Sequence, residues 1–207
     1  MSKRYVMLID LQQCTGCNTC SVACKQENNL PEGVWWTRVV TIGGNGDDLP
    51  AGHYPNLRLD YLPLACQHCA QAPCAEVCPA TATSRREDDG VVMQDPGLCI
   101  GCRSCMMVCP FTSVRVFADE QPRFALLFPT GDNPSAHRAR TVEKCTFCAH
   151  RLARGDNPSC VDVCPVQART FGDLNDSASQ VAQLLATRLH FQLLTEKGTE
   201  PSVYYLI

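Results

Sequence analysis

The chain has 207 residues, 45% of them hydrophobic, and a formal net charge of −3 at pH 7. That length bounds it to one or two domains. With no basic run and no aromatic RNA-binding pattern, the charge balance argues against nucleic-acid recognition, and no stretch reaches the eighteen or so apolar residues of a membrane span.

The longest apolar runs, residues 5–9 and 124–128, are strand-sized, and Met1-Ser2-Lys3-Arg4 leads into too few apolar residues for a secretory signal. No twin-arginine pair precedes them. The polypeptide is therefore expected to carry no export signal of its own and to stay in the cytoplasm unless a partner's signal carries an assembled complex outward.

In chain order, residues 5–9 read as a strand entering a cysteine run, Cys14-Thr15-Gly16-Cys17-Asn18-Thr19-Cys20 through Cys24-Lys25. Residues 21–29 read as a short helix ending before Pro31, and residues 35–42 as a strand. Gly43-Gly44-Asn45-Gly46-Asp47-Asp48 is a loop by composition. Residues 57–62 alternate and predict a half-buried strand. A second run, Cys66, Cys69, Cys74 and Cys78-Pro79, follows at once. A turn at Glu87-Asp88-Asp89-Gly90 and a strand over 91–93 fill the 20 residues before the third run, Cys99, Cys102, Cys105 and Cys109-Pro110.

Residues 111–141 form a long connection with Pro122, Pro129, Pro134 and a basic tail of His137, Arg138 and Arg140. It reads as a surface loop of solvated charges or, alternatively, as a docking segment for a partner. The fourth run is Cys145, Cys148, Cys160 and Cys164-Pro165. Beyond it, residues 169–174 predict a strand and turn. Residues 177–190 predict a helix whose Val181, Leu184, Leu185 and Leu189 share one apolar face packed on the core. Residues 203–207 predict a last strand.

The third run spells C-x2-C-x2-C-x3-C-P, the spacing with which bacterial ferredoxins hold [4Fe–4S] clusters. Three thiolates on one tight loop reach three irons of a cube, and the fourth reaches the neighbouring cluster. The first run repeats the spacing with Lys25 in place of proline. The second adds two residues to the middle gap, and the fourth opens that gap to eleven. All 16 cysteines are used, which predicts four cubanes. Gly16 and Gly101 occupy matching positions where a positive φ lets backbone N–H groups approach sulfur. Disulfides do not require this spacing and belong to smaller secreted scaffolds. Structural zinc favours two separated C-x2-C pairs, which does not fit runs with four cysteines in one short stretch. Clusters would replace part of the core, so the apo-protein is expected to be largely unfolded.

The second and third runs are close enough to form one two-cluster module, leaving the first and fourth as partners by elimination. The expected fold is α+β: two intertwined bacterial-ferredoxin-like modules with long connecting loops. Residues 1–60 and 142–175 would form one module, 61–110 the other, 111–141 a connecting or docking loop, and 176–207 a C-terminal helix and strand.

Fully ligated clusters leave no iron open to substrate, so the pattern implies an electron wire without a catalytic residue. His53, His68, His137, His150 and His190 are scattered. His68 lies between ligands and reads as a group beside a cluster rather than a ligand, because the thiolate set is complete. No phosphate-binding glycine motif is present. Arg85-Arg86-Glu87-Asp88-Asp89 and Lys144 read as solvated surface charge, the alternative being tuning of a potential or steering of an acidic partner.

The chain resembles the four-cluster iron–sulfur subunits of the molybdopterin oxidoreductases related to DMSO reductase. The resemblance rests on Tyr5-Val6-Met7-Leu8-Ile9-Asp10, Ala23-Cys24-Lys25, Cys99-Ile100-Gly101-Cys102, residues 143–152 (Glu143-Lys144-Cys145-Thr146-Phe147-Cys148 onward), and Pro158-Ser159-Cys160 through Phe171-Gly172-Asp173-Leu174. It spans residues 4 to 175 and is most similar to the polysulfide, thiosulfate and respiratory arsenate reductase branch. The insert at 111–141 and the C-terminal segment resemble the arsenate-type subunits.

The resemblance implies four ligand sets. The first is Cys14, Cys17, Cys20 and Cys164, and the second Cys145, Cys148, Cys160 and Cys24. The third is Cys66, Cys69, Cys74 and Cys109, and the fourth Cys99, Cys102, Cys105 and Cys78. Some relatives replace a cysteine of the third run and hold a [3Fe–4S] cluster; Cys102 is present here, so four [4Fe–4S] clusters are expected. Also implied are a large catalytic subunit carrying a molybdenum or tungsten bis-pterin cofactor, and a membrane anchor or cytochrome that exchanges electrons with quinone. The complex would sit on the cytoplasmic membrane, periplasmic by co-export with the partner rather than cytoplasmic. The competing readings are a free-standing soluble polyferredoxin and a zinc- or iron–sulfur-based sensor.

Overall fold

A computed structural model of the chain describes residues 2–43, 48–120 and 137–207. Most of the expected loop at 43–48, the apolar run at 124–128 and Pro122, Pro129 and Pro134 lie outside the described residues.

β1 (Tyr5–Asp10) is buried from Val6 to Asp10, as a continuous apolar run requires when both faces are covered. The reason lies at the other end of the chain. β1 pairs antiparallel with β10 (Arg169–Asp173), Ile9 opposite Arg169, and parallel with β12 (Val203–Leu206), Met7 opposite Val203. β11 (His190–Phe191) closes the four-stranded order β10-β1-β12-β11. The first cysteine run therefore leaves the sheet beside the strand that leaves the fourth.

After the first run, α1 (Thr19–Glu27) carries buried Cys20 and Cys24 and ends at Asn28. Lys25 then donates to the carbonyls of Pro31 (2.6 Å) and Val34 (3.0 Å), tying down the turn that proline makes in the other runs. β2 (Thr37–Ile42) pairs with β5 (Asp60–Ala65), and between them β3 (Ala51–His53) and β4 (Asn56–Arg58) form an outer hairpin. The alternating stretch 57–62 is thus not one half-buried strand. Its first part belongs to the outer hairpin and its last to β5, and Leu57 and Leu59 are 53% and 42% exposed. Alternation reports which residues share a face; it does not supply a second layer to cover that face.

α2 (Pro73–Glu76) precedes the hairpin of β6 (Thr83–Arg85) and β7 (Val92–Gln94), whose turn falls at 87–89 as expected. α3 (Ser104–Met107) packs on α2. Inside the expected connection, β8 (Arg115–Ala118) pairs antiparallel with β9 (Thr141–Lys144), setting Arg115 opposite Lys144. α4 (Ala149–Leu152) and α5 (Ser159–Asp162) are single turns flanking the wide gap of the fourth run.

α6 (Gln180–Thr187) is capped by Ser179, whose hydroxyl accepts from the Ala182 amide at 3.2 Å. It packs Val181, Leu184 and Leu185 against Val6, Leu8 and Leu206. Leu189, expected on that face, is 77% exposed. The helix ends at Thr187 because Arg188 turns extended, bonds Asp10 at 3.1 Å and leads into edge strand β11.

The core is several small clusters, and cysteines belong to them. Cys69, Cys74 and Cys105 pack with Val92, Phe111, Val114 and Val142, while Cys24 packs with Leu30, Val34 and Trp36.

Candidate metal centres

The four cysteine loops come in two matched geometries. In the first and third runs, Gly16 (φ 69°) is followed by Asn18 (φ 58°), and Gly101 (φ 71°) by Arg103 (φ 63°). Each run opens on an aspartate whose carbonyl accepts from the first cysteine amide: Asp10 from Cys14 at 3.1 Å and Asp95 from Cys99 at 3.2 Å. A Cβ on Gly16 would strike the Tyr61 ring, and one on Gly101 the Arg140 carbonyl.

In the second and fourth runs the residue before the second cysteine is left-handed, His68 (φ 45°) and Phe147 (φ 53°). So is the third residue past the last cysteine, Thr81 (φ 50°) and Gln167 (φ 51°). His68 and Phe147 stack on each other at 3.6 Å between centroids. Equivalent positions of two loops thus meet face to face in the buried interior.

The thiols assemble from distant runs. Cys14, Cys17, Cys20 and Cys164 line one cavity, beside Ile9 and Pro63. Cys24, Cys145, Cys148 and Cys160 line another, with Met7, Trp36 and Arg169. Burial, then repulsion from Cys145, Cys148 and Cys160, pushes the Cys24 thiol well up. Burial raises Cys69 to about 12 and Cys109 to about 11; a Thr199 contact lowers the first and the Phe111 backbone the second, while Cys66 and Cys74 add to both rises. Cys105 is raised by burial and faces both Cys99 and Cys74. Cys17 and Cys102 are exposed, their thiols lowered by the neighbouring hydroxyls of Thr19 and Ser104. Cys78 is half-buried two residues beyond α2, and no contact among those described joins it to Cys99, Cys102 or Cys105.

Thiols this crowded cannot all ionise unaided; iron, which binds thiolate, would displace their protons. Among the described residues no three cysteine, histidine or carboxylate side chains converge tightly enough for a single metal ion. Tetrahedral zinc needs such convergence. A cubane takes one thiolate at each of four irons, so ligands ringed around a cavity suit it. Backbone amides already point at sulfur, Phe147 to Cys145 at 3.4 Å and Ala168 to Cys164 at 3.3 Å.

Three buried cations lie among these thiols. Arg169 donates to Cys20 (3.5 Å) and Cys160 (3.9 Å). Burial opposes its charge, but those thiols outweigh it and hold its pKa above the ordinary value. Arg115 faces Cys74, Cys66 and Cys105, and its Nη2 has no geometrically complete hydrogen bond. Lys144, expected as solvated surface charge, is 0% exposed. Its ammonium donates to the carbonyls of Val92 and Cys145. Burial lowers its pKa, while Cys66, Cys145 and Cys74 pull the other way. The chain covers Lys144 because β9 is buried along its whole length.

His68 is fully buried, and its Nδ1 accepts from the Val92 amide at 3.1 Å, which places the ring proton on Nε2. Burial, then Lys144, Arg115 and Arg86, drive its pKa well below the ordinary value, so it is neutral. His137 is only partly buried as a residue, but its side chain is 4% exposed and so is not a solvated tail charge. It bridges Glu143 (2.7 Å) and the Asn28 carbonyl (2.6 Å), and Trp36 donates to the other oxygen of Glu143 at 3.2 Å. The Asn28 side chain reaches Cys24 (3.6 Å) and Cys148 (3.9 Å). His150 pairs with Glu27 at 2.8 Å, while His53 and His190 are exposed on edge strands.

Residues 57–124 and 131–174 match the 4Fe-4S dicluster domain family. An iron–sulfur subunit of Halobacterium salinarum, provisionally named for dimethyl sulfoxide reductase, is 48% identical over 98% of this chain and 78% of its own length. The arsenate respiratory reductase iron–sulfur subunit of a Shewanella species is 39% identical over 98% of this chain and 96% of its own. A tetrathionate reductase subunit of Salmonella typhimurium is 38% identical over 98% and 72%. The chain belongs to the iron–sulfur subunits of the molybdopterin oxidoreductases. As a member of that family it is an electron-transfer, 4Fe-4S type protein, and among its described residues no helix is long and apolar enough to cross a membrane.

Sequence reading missed Arg169 and Arg115 as cluster neighbours and gave Lys144 that role only as the alternative to surface charge. The available signal was position: Lys144 directly precedes Cys145, Arg169 follows Cys164 by five residues and Arg115 follows Cys109 by six.

Proposed function

We propose that the chain holds four [4Fe–4S] clusters, ligated by Cys14, Cys17, Cys20 and Cys164; by Cys24, Cys145, Cys148 and Cys160; by Cys66, Cys69, Cys74 and Cys109; and by Cys78, Cys99, Cys102 and Cys105. It relays electrons between a molybdopterin catalytic subunit and a quinone-linked membrane subunit or cytochrome, and is itself non-catalytic. The substrate of the complex belongs to the oxyanion, sulfur-compound or sulfoxide class, in keeping with relatives named for dimethyl sulfoxide, arsenate and tetrathionate reductases. The complex is peripheral to the cytoplasmic membrane and reaches the periplasm with its partner.

The observation that carries this reading is the succession of the thiol sets. Cys160 faces Cys20, Cys145 faces Cys66, and Cys74 faces Cys105. These neighbours give the sets an order, first to fourth, with the exposed Cys17 in the first and the exposed Cys102 in the last. Bound cubanes supply one-electron carriers whose potentials follow charge, hydrogen bonding and exposure. The protein's own part is to hold the sets in sequence, exclude water from the middle ones and leave the ends accessible. Arg169 clamps the first set to the second. The His68–Phe147 stack and Lys144 join the second to the third, and Arg115 joins the third to the fourth.

The test is metal content and spectroscopy of the anaerobically purified native protein with whatever accompanies it. About sixteen iron atoms per copy, with molybdenum or tungsten in a large companion, is the expected result. Iron without a companion would favour the free polyferredoxin, and zinc in place of iron would remove the cluster reading.

A further inference from the structure

Arg115 and Lys144 stand directly opposite each other in the β8–β9 ladder. Like charges in that position repel, and here both are buried, at 4% and 0% exposure. Burying an unpaired charge is costly. Arg169, 6% exposed, is the third such cation. None of the three is ion-paired with a carboxylate among the described residues, where arginine–carboxylate pairs form elsewhere. The groups that face them are thiols, which carry charge as thiolates. A local rule broken this consistently marks a functional arrangement.

The placement follows a pattern. Arg169 faces Cys14 and Cys20 of the first set and Cys24 and Cys160 of the second. Lys144 faces Cys145 of the second set and Cys66 and Cys74 of the third. Arg115 faces Cys66, Cys74 and Cys109 of the third set and Cys105 of the fourth. Three gaps separate four sites, and each gap holds one buried cation. Two are also tied to backbone or side-chain oxygens. Lys144 is fixed by a carbonyl from either side of its gap, Val92 and Cys145, and Arg115 by Gln94 Oε1 at 3.3 Å.

We propose that Arg169, Lys144 and Arg115 are positioning residues of the electron path, each a fixed positive charge shared by two consecutive cluster sites. A shared charge stabilises an added electron on either side of its gap, so it raises both neighbouring potentials together instead of opening a step between them. This inference rests on the reading that the cysteines hold cubanes, and it adds which residues set the potentials and in which pairs.

The test is EPR-monitored redox titration of the anaerobic holo-protein and of Arg169→Gln, Lys144→Met and Arg115→Gln, with signals assigned from single Cys→Ser variants. Each substitution should lower two potentials and leave two unchanged. Arg169→Gln should move the first and second, Lys144→Met the second and third, and Arg115→Gln the third and fourth. The expected shift is about tenfold in each reduction equilibrium constant, about 59 mV for one electron. Lys144→Arg should restore the parent values.

Folded variants with full iron whose potentials stay put, or move for one cluster only, would overturn the inference. So would loss of iron in all three variants together with their charge-keeping counterparts Arg169→Lys, Lys144→Arg and Arg115→Lys, which would assign the cations to folding alone. Failure of the parent protein to hold iron would instead overturn the cluster reading beneath it.

Discussion

Two regions of the molecule build the same local structure by different routes. In the central region, residues 66–109, the second run leads through β6 and β7 to the third, and a turn at 87–89 joins the two strands. At the chain ends, the fourth run leads into β10, β10 pairs with β1, and β1 leads to the first run, so the paired strands lie at opposite ends of the sequence. The correspondence is detailed. The Asp95 amide bonds the Ala82 carbonyl at 2.7 Å, as the Asp10 amide bonds that of Ala168 at 2.8 Å. Thr81 and Gln167 hold the same left-handed turn.

The regions differ in how they carry charge. Arg169, five residues after Cys164, corresponds to Thr83, five after Cys78. Thr83 has no charge to offer; its hydroxyl donates to Gln94 at 2.5 Å, and Gln94 also accepts from Arg115 on β8. The comparison teaches that a buried cation beside the thiols is the constant and the element that supplies it is not. It also gives β12 a role: at the chain ends, where no turn joins β1 to β10, a third strand secures β1 from its other side.

The largest effects come from breaking each region in turn. Cys20→Ser and Cys105→Ser should each remove or convert one cluster, lowering iron by about one to four of about sixteen per copy. Iron analysis and EPR decide it, and an unchanged spectrum with full activity would sink the ligand assignment.

Next comes the charge itself. Arg169→Met should destabilise the anaerobic holo-protein by about 3–5 kcal/mol, since it strands the thiolates that the guanidinium offsets. Thr83→Val should cost only about 1 kcal/mol, one neutral hydrogen bond, because Arg115 still satisfies Gln94. Denaturant melts that found equal losses would dissolve the distinction between the regions.

Gly101→Ala and Gly16→Ala should each cost more than about 1 kcal/mol, as φ is positive at both. The loss should be larger at Gly101, where the obstacle is the Arg140 backbone rather than a side-chain ring. Thermal melts of the pair compare them directly.

The smallest effect is pH-dependent. Burial would lower the His137 pKa, but the hydrogen bond and charge of Glu143 outweigh it and hold it above the ordinary value. A raised folded-state pKa contributes stability fully below the unfolded value of about 6.5, and loses it as pH rises through the folded one. His137→Gln should therefore melt lowest relative to the parent in mildly acid buffer, with the gap closing at alkaline pH. A gap that widens with pH would reverse the assigned sign.

Much of this was legible in the residues. The strand at 5–9, the 87–90 turn, the C-terminal strand and every cysteine loop could be read because each shows in a pattern of residues a few positions apart. Three readings failed. Residues 57–62 alternate like one half-buried strand yet are divided between the outer β3–β4 hairpin and β5. Leu189 keeps helical spacing past the point where Arg188 turns toward Asp10. Lys144 and His137 look like surface charge, but Lys144 ends the fully buried β9 and His137 is held between Glu143 and the Asn28 carbonyl. For Arg188, Lys144 and His137 the deciding contact comes from far along the chain, at Asp10, Val92 and Asn28.

The sequence by itself determined the chemistry. Cysteines in ferredoxin-like runs, each on a loop shaped by local backbone preference, mark an iron–sulfur protein because the spacing within a run is set by short stretches of chain. The tertiary structure alone decided that β1 lies between β10 and β12, which brings the first thiol set beside the second. It alone decided that Arg169, Lys144 and Arg115 are buried between sets. A charged side chain carries no mark of its surroundings; whether it meets water, a carboxylate or a thiol is settled only when distant segments pack against it.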